Sequence, residues 1–333
     1  MFLKNTFKLV VLFFLLSCGG ESNNEILVIN SGKTQGTFYH IKYLIEDAKN
    51  LQNQIDSVLL CVDNSLSTYN SSSLISKINK GEEVIVDPLF QTVFNTADTV
   101  YKKTEGAFDC SIAPLVNSWG FGFSNKEKMD TLKVNQLLQN IGYNKISLKN
   151  DSIFLPSKML LDFNSIAQGY TVDLIANLFD LNGLNHYLIE IGGEIRAKGL
   201  NADSEIWKIG VDKPSEKINS QDRFQFILEL DNKSLATSGN YRKFYIEDGV
   251  RYSHVINPFN GFPAKNKLLS VTVIHDECIY ADAYATAFMV MGLKNSKILL
   301  EKNDDLEAYF IFSNDDGELG KYVSKSFNNR ILN

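Results

Sequence analysis

The segment YADAYATAFMVMG, Tyr280 to Gly292, carries an aspartate and a threonine, Asp282 and Thr286, in an otherwise apolar, alanine-rich run. Four residues apart on a helix, their side chains share one face. Two oxygens facing one spot suit a hard cation. A cap is the competing reading: Asp282 in the first turn would favour the helix dipole, and Thr286 would bond a backbone carbonyl. A second oxygen-rich stretch, LLDFNSIAQGYTVDLIANLFDLNGL, Leu160 to Leu184, runs through Asp162, Asn164 and Ser165 into an apolar stripe of Ile166, Tyr170, Leu174 and Leu178 that Gly183 closes. Asn164 and Ser165 are both good caps, so Asp162 to Gln168 is expected at a helix N-terminus. Free N–H groups there seat a phosphate or pyrophosphate, and a carbonyl in the preceding turn can face a metal. An ordinary strand-to-helix junction has the same pattern.

His254, one of four histidines, sits late in ATSGNYRKFYIEDGVRYSHVINPFNGFP, Ala236 to Pro263. A Ser-Gly turn is expected there before a strand carrying Tyr241 and Arg242. The intrinsic pKa of histidine suits proton transfer near neutrality, although a lone histidine is more often a hydrogen-bonded structural residue. In YLIEIGGEIRAKG, Tyr187 to Gly199, a buried strand is broken by Gly192 and Gly193 between two acids. Paired glycines permit a bulge or the close approach of a flat ligand to the backbone. SLSTYN, Ser65 to Asn70, and TEGAFDCSIAPLVNSWGFG, Thr104 to Gly122, each set aromatics beside turn residues and also read as simple connections.

The elements that must position these groups follow from periodicity. Ile26 to Glu46 alternates like a strand, and Leu51, Ile55, Val58, Leu59 and Val62 give Ala48 to Asp63 a helical spacing. Pro88 to Thr104 reads as a helix with Phe90, Val93, Phe94, Ala97 and Tyr101 on one stripe, and Trp207 to Ile274 is mostly strands between turn residues. No regular βαβ rhythm appears, which favours α+β over a doubly wound parallel sheet. There is no internal repeat and no proline-rich linker, so the body reads as one packed unit.

With 333 residues, 44% apolar and 22% charged, the chain can bury a sizeable core. Its 39 acidic against 33 basic residues, net charge −6, argue against a nucleic-acid partner. Cys61, Cys110 and Cys278 have neither zinc-site spacing nor the even count of a disulfide framework. At the N-terminus, Lys4 and Lys8 precede the apolar run Leu9 to Leu16, and LLSCGG follows. This order resembles the bacterial lipoprotein signal, with Cys18 lipidated; a plain secretory signal with an incidental cysteine is the alternative. The expected boundaries are a signal over 1–17, a lipidated cysteine and tether over 18–30 (the polar part being Gly19 to Glu25), and a folded body over 31–333. Lipid would anchor such a chain without spanning the membrane.

Taken in order, QGTFYHIKY, SLSTY, GAFDCSIAPLVNSWGFG, LDFNSIAQGYTVD, IEIGGEIRAKG, ATSGNYRKF, YSHVINPFNGFP and ADAYATAFMVMG resemble the ApbE family, the FAD:protein FMN transferases. The resemblance spans nearly the whole chain after the signal. It implies an α+β, ApbE-like and T-fold-related architecture with an FAD cleft between packed sheet and helix subdomains. It implies a magnesium ion held by Asp282, Thr286 and the backbone carbonyl of Ser165, with FAD as substrate and its pyrophosphate against the helix after Asp162. Ring surfaces fall to Tyr69, Phe108, Tyr241 and the Gly192–Gly193 turn, and polar contacts to Asp109 and Asp162. Gln35, Ala107, Gln168, Ser238 and Arg242 complete the implied dinucleotide site. His254 is the first candidate to accept a proton from the attacking hydroxyl, and Asp282 is the competitor. Gln168 stands where many members have lysine, and Gln35 where many have methionine.

The implied reaction moves FMN from FAD to a threonine or serine hydroxyl of a target protein, forming a phosphoester and releasing AMP. Implied targets are flavoprotein subunits of ion-translocating oxidoreductases or extracytosolic reductases, met by a lipid-anchored protein facing the periplasm. The same motifs fit an FAD pyrophosphatase that gives FMN and AMP, and a lipoprotein that binds FAD without chemistry is the third reading.

Overall fold

The computed structural model describes residues 25–46, 49–122, 127–214, 223–240, 244–247, 250–314 and 316–332, with the backbone alone for 244–247 and 250–253. The expected signal, Cys18, Tyr241 and Arg242 lie outside the described residues.

The chain opens with β1 (Ile26–Thr34) and β2 (Thr37–Ile45), paired antiparallel from Ile26–Ile45 to Thr34–Thr37. The single strand expected over 26–46 is therefore a hairpin. Gln35 (φ 47°) and Gly36 (φ 73°) both take left-handed backbone, as the mirror-image two-residue turn demands. Glutamine rarely signals that conformation, so the turn was hidden. Residues 26–30, expected within the tether, belong to β1.

Three helices follow, α1 (Gln52–Leu66), α2 (Leu74–Asn79) and α3 (Pro88–Lys103). Helix α1 begins later than periodicity suggests because the Tyr43 hydroxyl accepts the Leu51 N–H and Asn50 Oδ1 accepts the Gln52 N–H. Helix α3 matches its expected span: Asp87 accepts the Phe90 N–H, and Pro88 occupies the first turn. Short helices α4 (Ala113–Ser118) and α5 (Thr131–Leu138) and a small hairpin, β3 (Ser147–Lys149) with β4 (Ser152–Phe154), lead to α6 (Ala167–Leu181). Beyond it lie β5 (Tyr187–Ile191), β6 (Glu194–Lys198), β7 (Trp207–Asp212), β8 (Phe224–Leu230) and β9 (Lys233–Gly239). Then come β10 (Phe244–Glu247), β11 (Val250–Ser253), β12 (Leu268–His275), α7 (Cys278–Leu300), β13 (Glu307–Ser313), β14 (Leu319–Val323) and α8 (Lys325–Asn328).

One eight-stranded sheet, in the order β1-β2-β5-β6-β9-β12-β13-β14, is antiparallel throughout. Its central strands are apolar at successive positions because both faces are covered. In β12 and β13, Val271, Val273, Ala308 and Phe310 face the cluster built with α3 and α7, while Ile274, Tyr309 and Ile311 face Trp207, Leu228 and Phe327 from the β7–β8 hairpin and α8. Helices α1 and α6 cover β2 and β5 through Ile55, Val172, Ile175 and Phe179. This is the expected α+β class, with α6 and α7 lying side by side against the sheet.

Candidate active site

Helices α6 and α7 meet at their N-terminal ends, and each caps the other. Asp173 of α6 accepts the Cys278 N–H at Oδ1 and the Ile279 N–H at Oδ2, both at 2.8 Å, so it closes the first turn of α7. In return, Asp282 Oδ2 of α7 accepts the Gly169 N–H of α6 at 3.1 Å. The capping role weighed for Asp282 is thus corrected. Asp282 lies past the first turn of its own helix and caps the neighbouring one. Asn164 and Ser165 are likewise not the caps of α6, which starts at Ala167 after Ile166. Asn164 instead donates its N–H to Asp162 Oδ1 in a tight turn before the helix.

Close approach makes this exchange possible. A Cβ on Gly169 would lie 2.4 Å from the Cys278 carbonyl oxygen and 2.8 Å from Asp282 Cβ, so only glycine lets the helices touch here. The open anion seat expected at the start of α6 is largely filled. The Ala167 N–H bonds the Phe163 carbonyl and the Gly169 N–H bonds Asp282. A phosphate at this corner would be met mainly through a cation on Asp282.

Thr286, one turn beyond Asp282, meets the Ser238 hydroxyl at 3.2 Å and bonds no carbonyl of its own helix. Ser238 and Gly239 are the last residues of β9, paired with Val271 and Ser270 of β12, and not the turn expected from the sequence. Ser165 lies beside the Cys110 thiol, which is also within reach of the Asp109, Asp162 and Asp282 charges. Asp282, Thr286 and Ser238 therefore gather at one corner between the α6 and α7 ends and the sheet, and Ser165 lies two residues before α6 begins.

The β5–β6 connection closes this corner from the other side. Gly192 (φ 66°) and Gly193 (φ 114°) form a two-residue hairpin turn between Ile191 and Glu194, not a bulge. Glu190 Oε1 accepts the Gly193 N–H at 3.0 Å. A Cβ on Gly192 would lie 2.9 Å from Thr37 Cγ2, 3.1 Å from Gln168 Nε2 and 3.2 Å from Glu194 Oε2, so the turn needs glycine and brings Gln168 and Glu194 together. Glu194 is buried, and its Oε2 has no hydrogen-bond partner.

Electrostatics single out the same groups. Burial pushes the Asp282 carboxyl up to about 7 against the help of the Gly169 N–H. Glu194 is held well above the usual carboxylate range, first by burial and then by the Asp282 charge. Burial also raises Asp109 and Asp162, whose oxygens already accept from the Ser111 and Asn164 N–H groups. These two carboxylates brace turns on either side of Cys110.

The remaining predicted residues make contacts of their own. Gln35 Nε2 donates to Thr171 Oγ1 at 2.6 Å, tying the β1–β2 turn to α6. Phe108 is only 1% exposed within the main core, and Ala107 is buried beside it, so the Phe108 ring offers no stacking face. Tyr69 is exposed. His254, after β11, sets its ring edge-on to Phe121 with centroids 6.4 Å apart, next to buried Val255 and Ile256.

The donor set fits magnesium. A carboxylate, a hydroxyl and a carbonyl are hard oxygen ligands, and waters or phosphate oxygens complete such an octahedron. Two buried carboxyls, one with an unpartnered oxygen, gain from a cation that offsets their charge. Among the described residues no three His, Cys, Asp or Glu side chains form a metal cluster.

Sequence reasoning missed Asp173, Gly169 and Glu194 as parts of this corner. Gly169, Asp173 and Ala176 recur at helical spacing, a small and polar face that signals close helix packing.

Comparison with known proteins gives the family of the chain. The ApbE family model matches residues 35–310, and the chain belongs to the ApbE family. It is 38% identical over 330 residues to the FAD:protein FMN transferase of Vibrio cholerae, covering 96% of this chain and 97% of that protein. It is 32% identical to the Escherichia coli K12 FAD:protein FMN transferase, covering 86% and 84% respectively. Its fold is similar to the flavin transferase ApbE from Vibrio cholerae (TM-score 0.83, 36% identity, 92% of this chain and 99% of that one). It is also similar to the apo form of the Pseudomonas stutzeri flavinyl transferase ApbE (TM-score 0.83, 30% identity, 92% and 97%).

Proposed function

We propose that this protein is a magnesium-dependent FAD:protein FMN transferase. The observation that carries the reading is the placement of Asp282 and Thr286 one turn apart on α7, beside the start of α6. This arrangement occurs in a chain that aligns nearly end to end with a curated FAD:protein FMN transferase.

Asp282, Thr286 and the Ser165 carbonyl would hold the cation. When bound, magnesium supplies charge neutralisation at the pyrophosphate and at the departing AMP. FAD lies with its pyrophosphate at the α6–α7 corner. A threonine or serine hydroxyl of the target attacks the phosphorus on the riboflavin side. The new phosphoester P–O bond forms, the anhydride P–O bond to AMP breaks, and the hydroxyl proton passes to His254. His254 suits this role better than Asp282, since a carboxylate committed to a cation is a weaker base. Ser238 orients the Thr286 hydroxyl, and Gly193, with open space beside it, leaves room for a flat or extended ligand against the backbone. Lipid on Cys18 would keep the site at a periplasm-facing membrane surface, close to flavoprotein subunits of ion-translocating oxidoreductases or extracytosolic reductases.

Full-length protein in detergent, given FAD and MgCl2, tests the reading when AMP and free FMN are followed with and without a target flavoprotein domain. AMP release that needs both the target and magnesium, with little free FMN, is expected. Equal amounts of AMP and free FMN, independent of any target, would make the enzyme a pyrophosphatase.

A further inference from the structure

Glu194 is the one acid of this corner that the magnesium reading leaves without a task. It follows the Gly192–Gly193 turn as the first residue of β6, is 7% exposed, and its Oε2 lacks a hydrogen-bond partner. A buried carboxylate oxygen left without a donor is costly and rarely kept without a ligand to satisfy it. The free oxygen and the Gln168 amide both lie beside Gly192. Gln168 precedes Gly169, whose N–H is held by Asp282, so this corner adjoins the proposed cation site.

We propose that Glu194 is a positioning residue of the magnesium site: its Oε2 accepts a hydrogen bond from water bound to the cation that Asp282, Thr286 and Ser165 hold. The inference rests on the metal reading of those three residues. A carboxylate that accepts from a metal-bound water orients it and adds a second negative charge near the cation without displacing water, which suits an ion that keeps much of its hydration. The neighbouring Gln168 brings no charge of its own to this corner, so the cation is the countercharge for both Asp282 and Glu194.

The test is calorimetric titration of MgCl2 into full-length protein in detergent without FAD, paired with melting of the metal-free protein. Glu194→Gln keeps the shape and removes the charge. It is expected to weaken magnesium binding roughly tenfold, as loss of such outer partners does at other metal sites, while leaving metal-free melting unchanged or higher. Glu194→Asp keeps the charge but withdraws the oxygen by one methylene; about threefold weakening is expected, and it carries the test if the glutamine variant does not fold. Magnesium affinity within about twofold of the wild type in the folded variant, while Asp282→Ala abolishes binding, overturns the role of Glu194 and leaves the metal site standing. Wild-type affinity in Asp282→Ala overturns the metal reading itself, and the Glu194 assignment with it.

Discussion

Asp173 shows how a single buried carboxyl sets a pH dependence. Burial lifts it to about 7 even though the Cys278 and Ile279 N–H groups donate to it and Arg196 lies 4.0 Å away. A folded-state value above 3.8 means that the folded protein binds the extra proton, so this group's contribution is most favourable at low pH and is lost as pH rises from about 4 through about 7. Full ionisation costs on the order of 4 kcal/mol. Asp173→Asn removes the titration and keeps one acceptor oxygen. Urea midpoints compared at about pH 5 and about pH 8 should show a smaller loss of stability in the variant than in the wild type. An equal loss in both would contradict the assignment. At this scale the spacing of Asp282 and Thr286 made a pair of oxygens on one helix face legible, with a cap as the competing reading, while Ser165 entered as a ligand only through the family resemblance. Asp173 was not, because its partners lie 105 and 106 residues further along the chain. Glu194 was visible as an acid beside a glycine pair, but only the fold shows it buried and unpartnered.

Gly169 fixes the distance between α6 and α7, and both cross-caps depend on that distance. In Gly169→Ala the new methyl would meet the Cys278 carbonyl and Asp282 Cβ well inside contact distance, so α7 must move away. The expected cost is about 1–3 kcal/mol of stability, together with weaker magnesium binding as Asp282 leaves its partner. Thermal melting and magnesium titration of the same preparation check both effects; unchanged melting would show that the contact is loose. Elements whose signals are local were read correctly. Helix α3 has its cap, proline and stripe in one stretch, and α6 ends at Asn182 with Gly183 (φ 77°) as the glycine stop. Elements whose ends are decided by distant groups were not. Tyr43 and Asn50 delay α1, Asp282 caps α6, and pairing with β12 keeps Ser238 and Gly239 in a strand.

The described residues are built around one eight-stranded antiparallel sheet with helices on one face and the β7–β8 hairpin and α8 on the other, and the proposed site sits where two helix starts meet that sheet. The α+β class was legible from the missing βαβ rhythm, while the strand order was not, since each pairing joins segments that composition cannot match. No described helix is long and apolar enough to cross a membrane, and the proposed attachment is lipid on Cys18. In a detergent phase separation of cell extracts, the wild type is expected in the detergent phase and Cys18→Ser in the aqueous phase; detergent partitioning by both would remove the anchor from the account. The central claim is that FMN passes from FAD to a protein hydroxyl at the Asp282 corner. Its most direct measurement is the intact mass of a target flavoprotein domain after incubation with full-length enzyme, FAD and MgCl2. The account predicts a gain equal to one FMN less one water on a threonine or serine, lost with Asp282→Ala and in the presence of chelator. A target that stays unmodified while FAD is cleaved, or is modified equally by Asp282→Ala, would contradict it.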